Sequence, residues 1–280
     1  MDEHPQVPIA IGAFVFASLG WLLVTGVSTG LAVTLLALAR GVRFEVIAAD
    51  PESFVTAGIM GFSALLQSTG IGVVALLLAR GLSDHLAEAR AAAIGRVPGW
   101  SGWIVAGSLG ALTVGLFPGW IAAQILGAFP DLGSGLTLLG EVMQRPDPIG
   151  KTLLVLAICV TAPLFEEVAF RGYLWHHLER VMPGWAVWLL TTLMFAAYHL
   201  DPVQSPSLIP TALLLGWLRW HSGGIAAPVA AHFVNNLLGT FALLNAGGDE
   251  SSQIGLGVAA LGTSATISCC AIAWLARPRT

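Results

Sequence analysis

From Ile9 to Ala39 the chain runs without a charged residue. A helix over such a run, rising about 1.5 Å per residue, exceeds the roughly 30 Å apolar thickness of a bilayer. Uncharged runs recur at 53–79, 97–130, 181–198, 202–218, 222–248 and 251–276. In lipid every backbone N–H and C=O must find its partner within the protein, which leaves helices or a closed barrel. A barrel would show short alternating segments, and none stands out. The expected fold is therefore an all-α polytopic membrane protein with about eight transmembrane helices, near 9–38, 54–79, 101–128, 150–180, 184–202, 206–220, 223–246 and 252–276. Composition agrees, since 10% of the residues are charged against about 25% in soluble domains.

One integral-membrane domain is expected over 1–280, with N-terminal helices through 145, a core over 150–246 and a final span over 252–276. Pro118-Gly119 should kink the third span. The charged but helix-prone stretch 83–94 reads as an interfacial or extramembrane helix. Met1-Asp-Glu-His-Pro5 is acidic, and the apolar run after it is too long for a signal-peptide core, so no signal peptide is expected. Cys159, Cys269 and Cys270 lie in apolar segments and read as small buried residues. The net charge of −4 argues against nucleic acid as a partner.

With eight spans, the side shared by both termini collects Arg80, Arg90, Arg96, Arg171, Arg180, Arg219, Arg277 and Arg279. The other side holds Arg40, Arg43, Arg145 and Lys151. Eight against four puts both termini in the cytoplasm. The ratio of 11 Arg to 1 Lys points to a GC-rich bacterial genome, hence a bacterial inner membrane.

Against this background a few polar groups are out of place. Glu166-Glu167 with Arg171, His199, His232 and the pair Asn235-Asn236 all interrupt apolar sequence. Ionisable residues at membrane depth carry a desolvation cost and usually mark function. Met182-Pro-Gly184 is a turn signal, with Glu166 17 residues before Pro183 and His199 16 after it. Helix on both sides would set carboxylate and imidazole at one level, about 25 Å from the turn. A second turn at His221-Ser-Gly-Gly224 leads on to His232 and Asn236.

Spacing assigns faces. Glu167 and Arg171 stand at i and i+4 with the acid first, the better order for a helical ion pair. Glu166 points about 100° away and is free for another task. His232 and Asn236 also stand at i and i+4, while Asn235 faces elsewhere and suits a bond between helices. Each feature has a plain structural reading: a Glu–Arg pair as a staple, His199 at an interface, His232 and Asn236 as interhelical bonds. His176-His177, beside Glu179 and Arg180, reads as a solvated helix end. The combination of Glu, two His and Asn at compatible depths is what points to chemistry.

In order and spacing, Glu166-Glu167-x-x-x-Arg171, Phe195-x-x-x-His199 and His232-x-x-x-Asn236 resemble the three motifs of the CPBP (Abi) family, which includes the type II CAAX prenyl endopeptidases. The resemblance covers 166–236 and implies intramembrane peptide-bond hydrolysis by a core over 150–246. It implies Glu166 as general base, His199 positioning the water, His232 and Asn236 donating to the oxyanion, and Glu167 with Arg171 supporting the helix. The chemistry is coherent, because amide hydrolysis needs an activated water and fixed donors where negative charge develops.

Zinc is the main mechanistic alternative. Glu166, His199 and His232 would supply three ligands and leave a fourth position for water. The metal-free account is favoured because Asn236 is a better oxyanion donor than zinc ligand. A transporter with polar residues at its midplane, or a non-catalytic immunity or scaffold protein, are alternatives of another class; no inverted repeat stands out to support transport. The expected partners are the lipid bilayer and a peptide or membrane-protein substrate.

Overall fold

The computed structural model describes residues 6–81, 90–91, 93–95, 102–245 and 256–276. These residues form helices and no strand. Two long helices open the fold: α1 (Gln6–Ala39) and α3 (Ala57–Gly81), joined by the short α2 (Phe44–Ala49). They pack closely because small residues face large ones. Gly70 lies against the Trp21 ring, whose Nε1–H donates to the Leu66 carbonyl at 2.8 Å. On its other face, Gly61 of α3 meets the backbone at Leu153 and Leu154, and Gly72 meets Phe165. Such small residues let membrane helices approach to backbone distance.

The expected kink in the third span falls just before Pro118. The run divides at Gly115 into α4 (Gly102–Val114) and α5 (Leu116–Ala128). Pro118 has no N–H for the carbonyl four residues back, that of Val114, and its ring crowds that turn. A short amphipathic helix, α6 (Gly135–Gln144), follows; Ser134 caps it by accepting the Leu136 N–H at 3.1 Å.

The central element is α7, which runs Pro148–Leu178. Asp147 caps its start, accepting from Gly150 N–H at 2.9 Å, and Pro148 occupies the first turn. Two stretches, Ala157–Thr161 and Val168–Leu174, widen into π-helix. The remaining elements are α8 (Gly184–Tyr198), the single turn α9 (Gln204–Ser207), α10 (Ile209–Ser222), α11 (Ala226–Asn245) and α12 (Leu256–Ala276). Gly223, at φ +76°, closes α10 in the left-handed conformation that glycine tolerates. α3 packs between α1 and α7, α4 packs between α11 and α12, and α10 bridges α8, α11 and α4. Of the later helices, α8 and α11 also pack on α7.

Six helices among the described residues are long and apolar enough to cross a membrane: Pro8–Ala39, Ala57–Gly81, Gly102–Ala128, Pro148–Leu178, Ala226–Leu244 and Gly257–Leu275. The other two expected spans are shorter. α8 has 15 residues and α10 has 14, about 22 Å each. α8 stops at His199 because Asp201-Pro202 follows, and the residue before proline disfavours helix. The expected helix over 83–94 and the chain termini lie largely outside the described residues. Arg90, Ala91, Ala93 and Ile94 are helical, and Ala93 sits directly over Gly172 of α7.

Candidate active site

Glu166 and Glu167 project from the middle of α7, between its two π-helical stretches, and both are buried. π-helical insertions change the direction in which the following side chains point and recur at functional sites. Arg171 is fully enclosed. Its Nη1 donates to Glu167 Oε1 at 3.1 Å and its Nη2 to the Ala212 carbonyl of α10 at 3.2 Å. The i, i+4 pair expected from sequence is thus present, and it also ties α7 to α10.

Glu167 has a second partner that spacing did not reveal. His232 Nδ1 lies 3.0 Å from the same Glu167 Oε1, while His232 Nε2 lies 4.0 Å from Glu166 Oε2. Against a carboxylate, Nδ1 carries the hydrogen. Glu167 therefore bridges Arg171 and His232, and Glu166 is left with the more open position. Glu166 is 8% exposed and Glu167 is 0% exposed, which puts Glu166, not Glu167, nearer to any water that enters.

Asn236, one turn beyond His232, donates through Nδ2 to the Ile158 carbonyl of α7 at 2.9 Å. Its Oδ1 accepts from Asn235 Nδ2 at 3.3 Å, and Asn235 Oδ1 in turn accepts from Thr211 of α10 at 3.3 Å. Asn235 therefore has the interhelical role expected of it.

His199 caps the end of α8, half-buried, with Nδ1 3.0 Å from the Phe195 carbonyl. That bond leaves Nε2 as the nitrogen available to the site. Phe195 connects it to the rest. The Phe195 ring centroid lies 5.1 Å from that of His199, 5.7 Å from that of His232 and 4.3 Å from the Arg171 guanidinium carbon. Cation, imidazoles and aromatic ring form one packed group.

The structure adds two residues that sequence reasoning missed. Tyr198, one of only two tyrosines in the chain, has a buried hydroxyl with Gln67 and Glu166 as polar neighbours. Its position beside His199 in an apolar helix was the available signal. Asp201 is a clamp: it accepts from the Ser134 hydroxyl at 2.9 Å and from the backbone N–H groups of Gly135 at 2.6 Å, Val203 at 2.9 Å and Gln204 at 2.6 Å. Burial pushes its pKa up, but the bonds from Gln204, Gly135, Ser134 and Val203 outweigh it and hold the carboxyl below its ordinary range. Between His199 and Asp201, Leu200 adopts φ +49°, a strained conformation for a non-glycine residue.

His177 departs from its expected place. It is buried against the Tyr173 ring, not solvated at a helix end, because α1 covers that side of α7. Among the described residues no group of three or more His, Cys, Asp or Glu side chains is placed to hold a metal ion; Phe195 and Glu167 engage the Nδ1 atoms of His199 and His232, as the outer partners of a metal-bound histidine also do.

No curated protein and no solved structure matches the chain. Residues 148–238, which carry Glu166, Glu167, Arg171, His199, His232 and Asn236, do match one family model. Its description is Rce1-like, type II CAAX prenyl endopeptidase Rce1-like, and the match is consistent with a protein of the CPBP (Abi) family.

Proposed function

We propose that this protein is an intramembrane endopeptidase that hydrolyses a peptide bond with a glutamate-activated water and no metal. The observation that carries the reading is the buried cluster of Glu166, Glu167, Arg171 and His232, held together from α7 and α11 within a segment that matches a family of membrane endopeptidases. A buried cluster this polar is costly to keep unless its charges balance. Here Arg171 matches Glu167, and the two ring nitrogens of His232 face the two carboxylates.

The roles follow from what each group is already bound to. Glu167 is occupied by Arg171 and His232, so Glu166 is the carboxylate able to take a proton from water. His199, with Nδ1 turned to its own helix, presents Nε2 to position that water. Attack on the carbonyl carbon forms the C–O bond and leaves a tetrahedral oxyanion. His232 Nε2–H and the second Nδ2–H of Asn236 donate to it. Collapse breaks the C–N bond, and Glu166 returns the proton to the departing amine. Donors fixed on a rigid helix away from bulk water stabilise the oxyanion more than solvent would. The substrate is a peptide or a membrane protein presented within the bilayer. The basic-residue asymmetry supports both termini in the cytoplasm of a bacterial inner membrane.

The test is cleavage of a library of apolar peptides in proteoliposomes, with products mapped by mass spectrometry. Wild type should yield discrete cuts, and Glu166→Gln should lower their rate by at least about 10³-fold while remaining folded. Undiminished cutting by Glu166→Gln would refute the assignment.

A further inference from the structure

The anchoring of Asn236 traces back to a proline. In the first π-helical stretch of α7, Ala162 N–H reaches the Ala157 carbonyl, five residues back. It thereby passes over Ile158, whose carbonyl it would serve in an α-helix. In π-helical spacing the Ile158 carbonyl would instead take the N–H of residue 163. That residue is Pro163, which has none. Neither helical donor therefore reaches Ile158, and a carbonyl buried in lipid without a donor costs several kcal/mol. The donor that arrives is Asn236 Nδ2, at 2.9 Å.

The second stretch repeats the arrangement. Trp175 N–H bonds the Phe170 and Gly172 carbonyls and bypasses Arg171. The Arg171 carbonyl takes Arg219 Nε–H at 2.7 Å instead. At each π-helical stretch a side chain from a later helix thus bonds a backbone carbonyl that the closing N–H bypasses, and only the first has a proline at the next position.

Resting on the peptidase reading, we infer that Pro163 is a positioning residue for the oxyanion hole: by withholding an N–H from Ile158 it reserves that carbonyl for Asn236. Only an NH₂ group can face a carbonyl, so the bond also settles which way the Asn236 amide is turned. Asn235 Nδ2 donating to Asn236 Oδ1 agrees with that orientation. One N–H of Asn236 is held by Ile158, and the other is aimed by that constraint. Pro163 lies three residues before Glu166 in the same helix, so a single stretch of α7 supplies the base and orients an oxyanion donor.

Pro163→Ala gives back the missing N–H. It removes a helix-breaking residue, so a purely structural role predicts unchanged or higher thermal stability and unchanged turnover. The positioning role predicts that the new N–H competes for Ile158, releases Asn236 and lowers kcat by about 10²-fold with KM little altered. It also predicts that Pro163→Ala adds little to the loss in Asn236→Ala. Solid-state NMR of ¹⁵N-asparagine-labelled protein in lipid supplies a readout independent of catalysis: the Asn236 side-chain amide resonance should shift and broaden in Pro163→Ala. Full activity with an unmoved Asn236 signal overturns the inference and leaves the peptidase reading intact. A moved signal with kcat unchanged in Pro163→Ala shows that Pro163 sets Asn236 but overturns the oxyanion-hole role, whereas cleavage that survives Glu166→Gln overturns the peptidase assignment by itself.

Discussion

Glu167 shows how much of a site spacing can reveal and where it stops. Its pairing with Arg171 follows from helical geometry alone, because i and i+4 share a face. Its bond to His232 joins residues 65 apart in sequence, and no local pattern encodes that. Arg171 and Glu167 are both at 0% exposure, so each depends on the other for its charge. Arg171→Met should lower stability by about 3–5 kcal/mol, the usual result of leaving one member of a buried pair unmatched. Arg171→Met combined with Glu167→Gln should recover part of that loss. A double-mutant cycle by thermal unfolding in detergent checks this, and strictly additive effects would show that the pair is not coupled. The burial of His177 was likewise beyond local reading, since it depends on where α1 lies.

At the scale of elements, the helix-breaking signals were readable and the path of the chain around them was not. Met182-Pro-Gly184 separates α7 from α8, and Pro118 divides α4 from α5 as proline requires. α6 went unrecognised because its 10 residues are too few for a span and its Ser134 cap looks like any loop serine. Yet α6 matters to the site. Asp201, two residues after His199, holds the Ser134–Gly135 entry to α6, and Gln144 at the other end donates to the Leu243 carbonyl of α11 at 2.7 Å. Because the Asp201 carboxyl is held below its ordinary range, its stabilisation is complete above the unfolded aspartate value of about 3.9. It is lost as pH falls through the lower folded value. Asp201→Asn should therefore unfold more easily at pH 7, by about 1–3 kcal/mol. That difference should close as pH is lowered below about 3.9. Thermal scans of both proteins from pH 7 downward give the answer, and a constant difference would contradict the clamp. The π-helical stretches carried no readable signal except Pro163, whose effect depends on a side chain from α11.

For the whole molecule, composition was enough to establish a helical membrane protein. Of the eight expected spans, six are long and apolar enough to cross among the described residues, while α8 and α10 are shorter and end beside the candidate site. The arrangement has a clear logic. Long apolar helices face lipid, with residues such as Phe16 and Leu23 exposed, while α7, α8, α10 and α11 turn their few polar groups inward on one another. A polar site in so apolar a protein needs every charge matched, and α7 carries both carboxylates and the arginine that holds one of them.

The central claim is that Glu166 activates water without a metal. The most direct measurement compares peptide cleavage by purified wild type and Glu166→Gln, each with and without a strong zinc chelator, alongside elemental analysis of the same samples. The account predicts wild-type cleavage that survives chelation, cleavage lost in Glu166→Gln, and no stoichiometric metal. Cleavage abolished by the chelator, with about one zinc per chain, would contradict it and would make Glu166, His199 and His232 metal ligands.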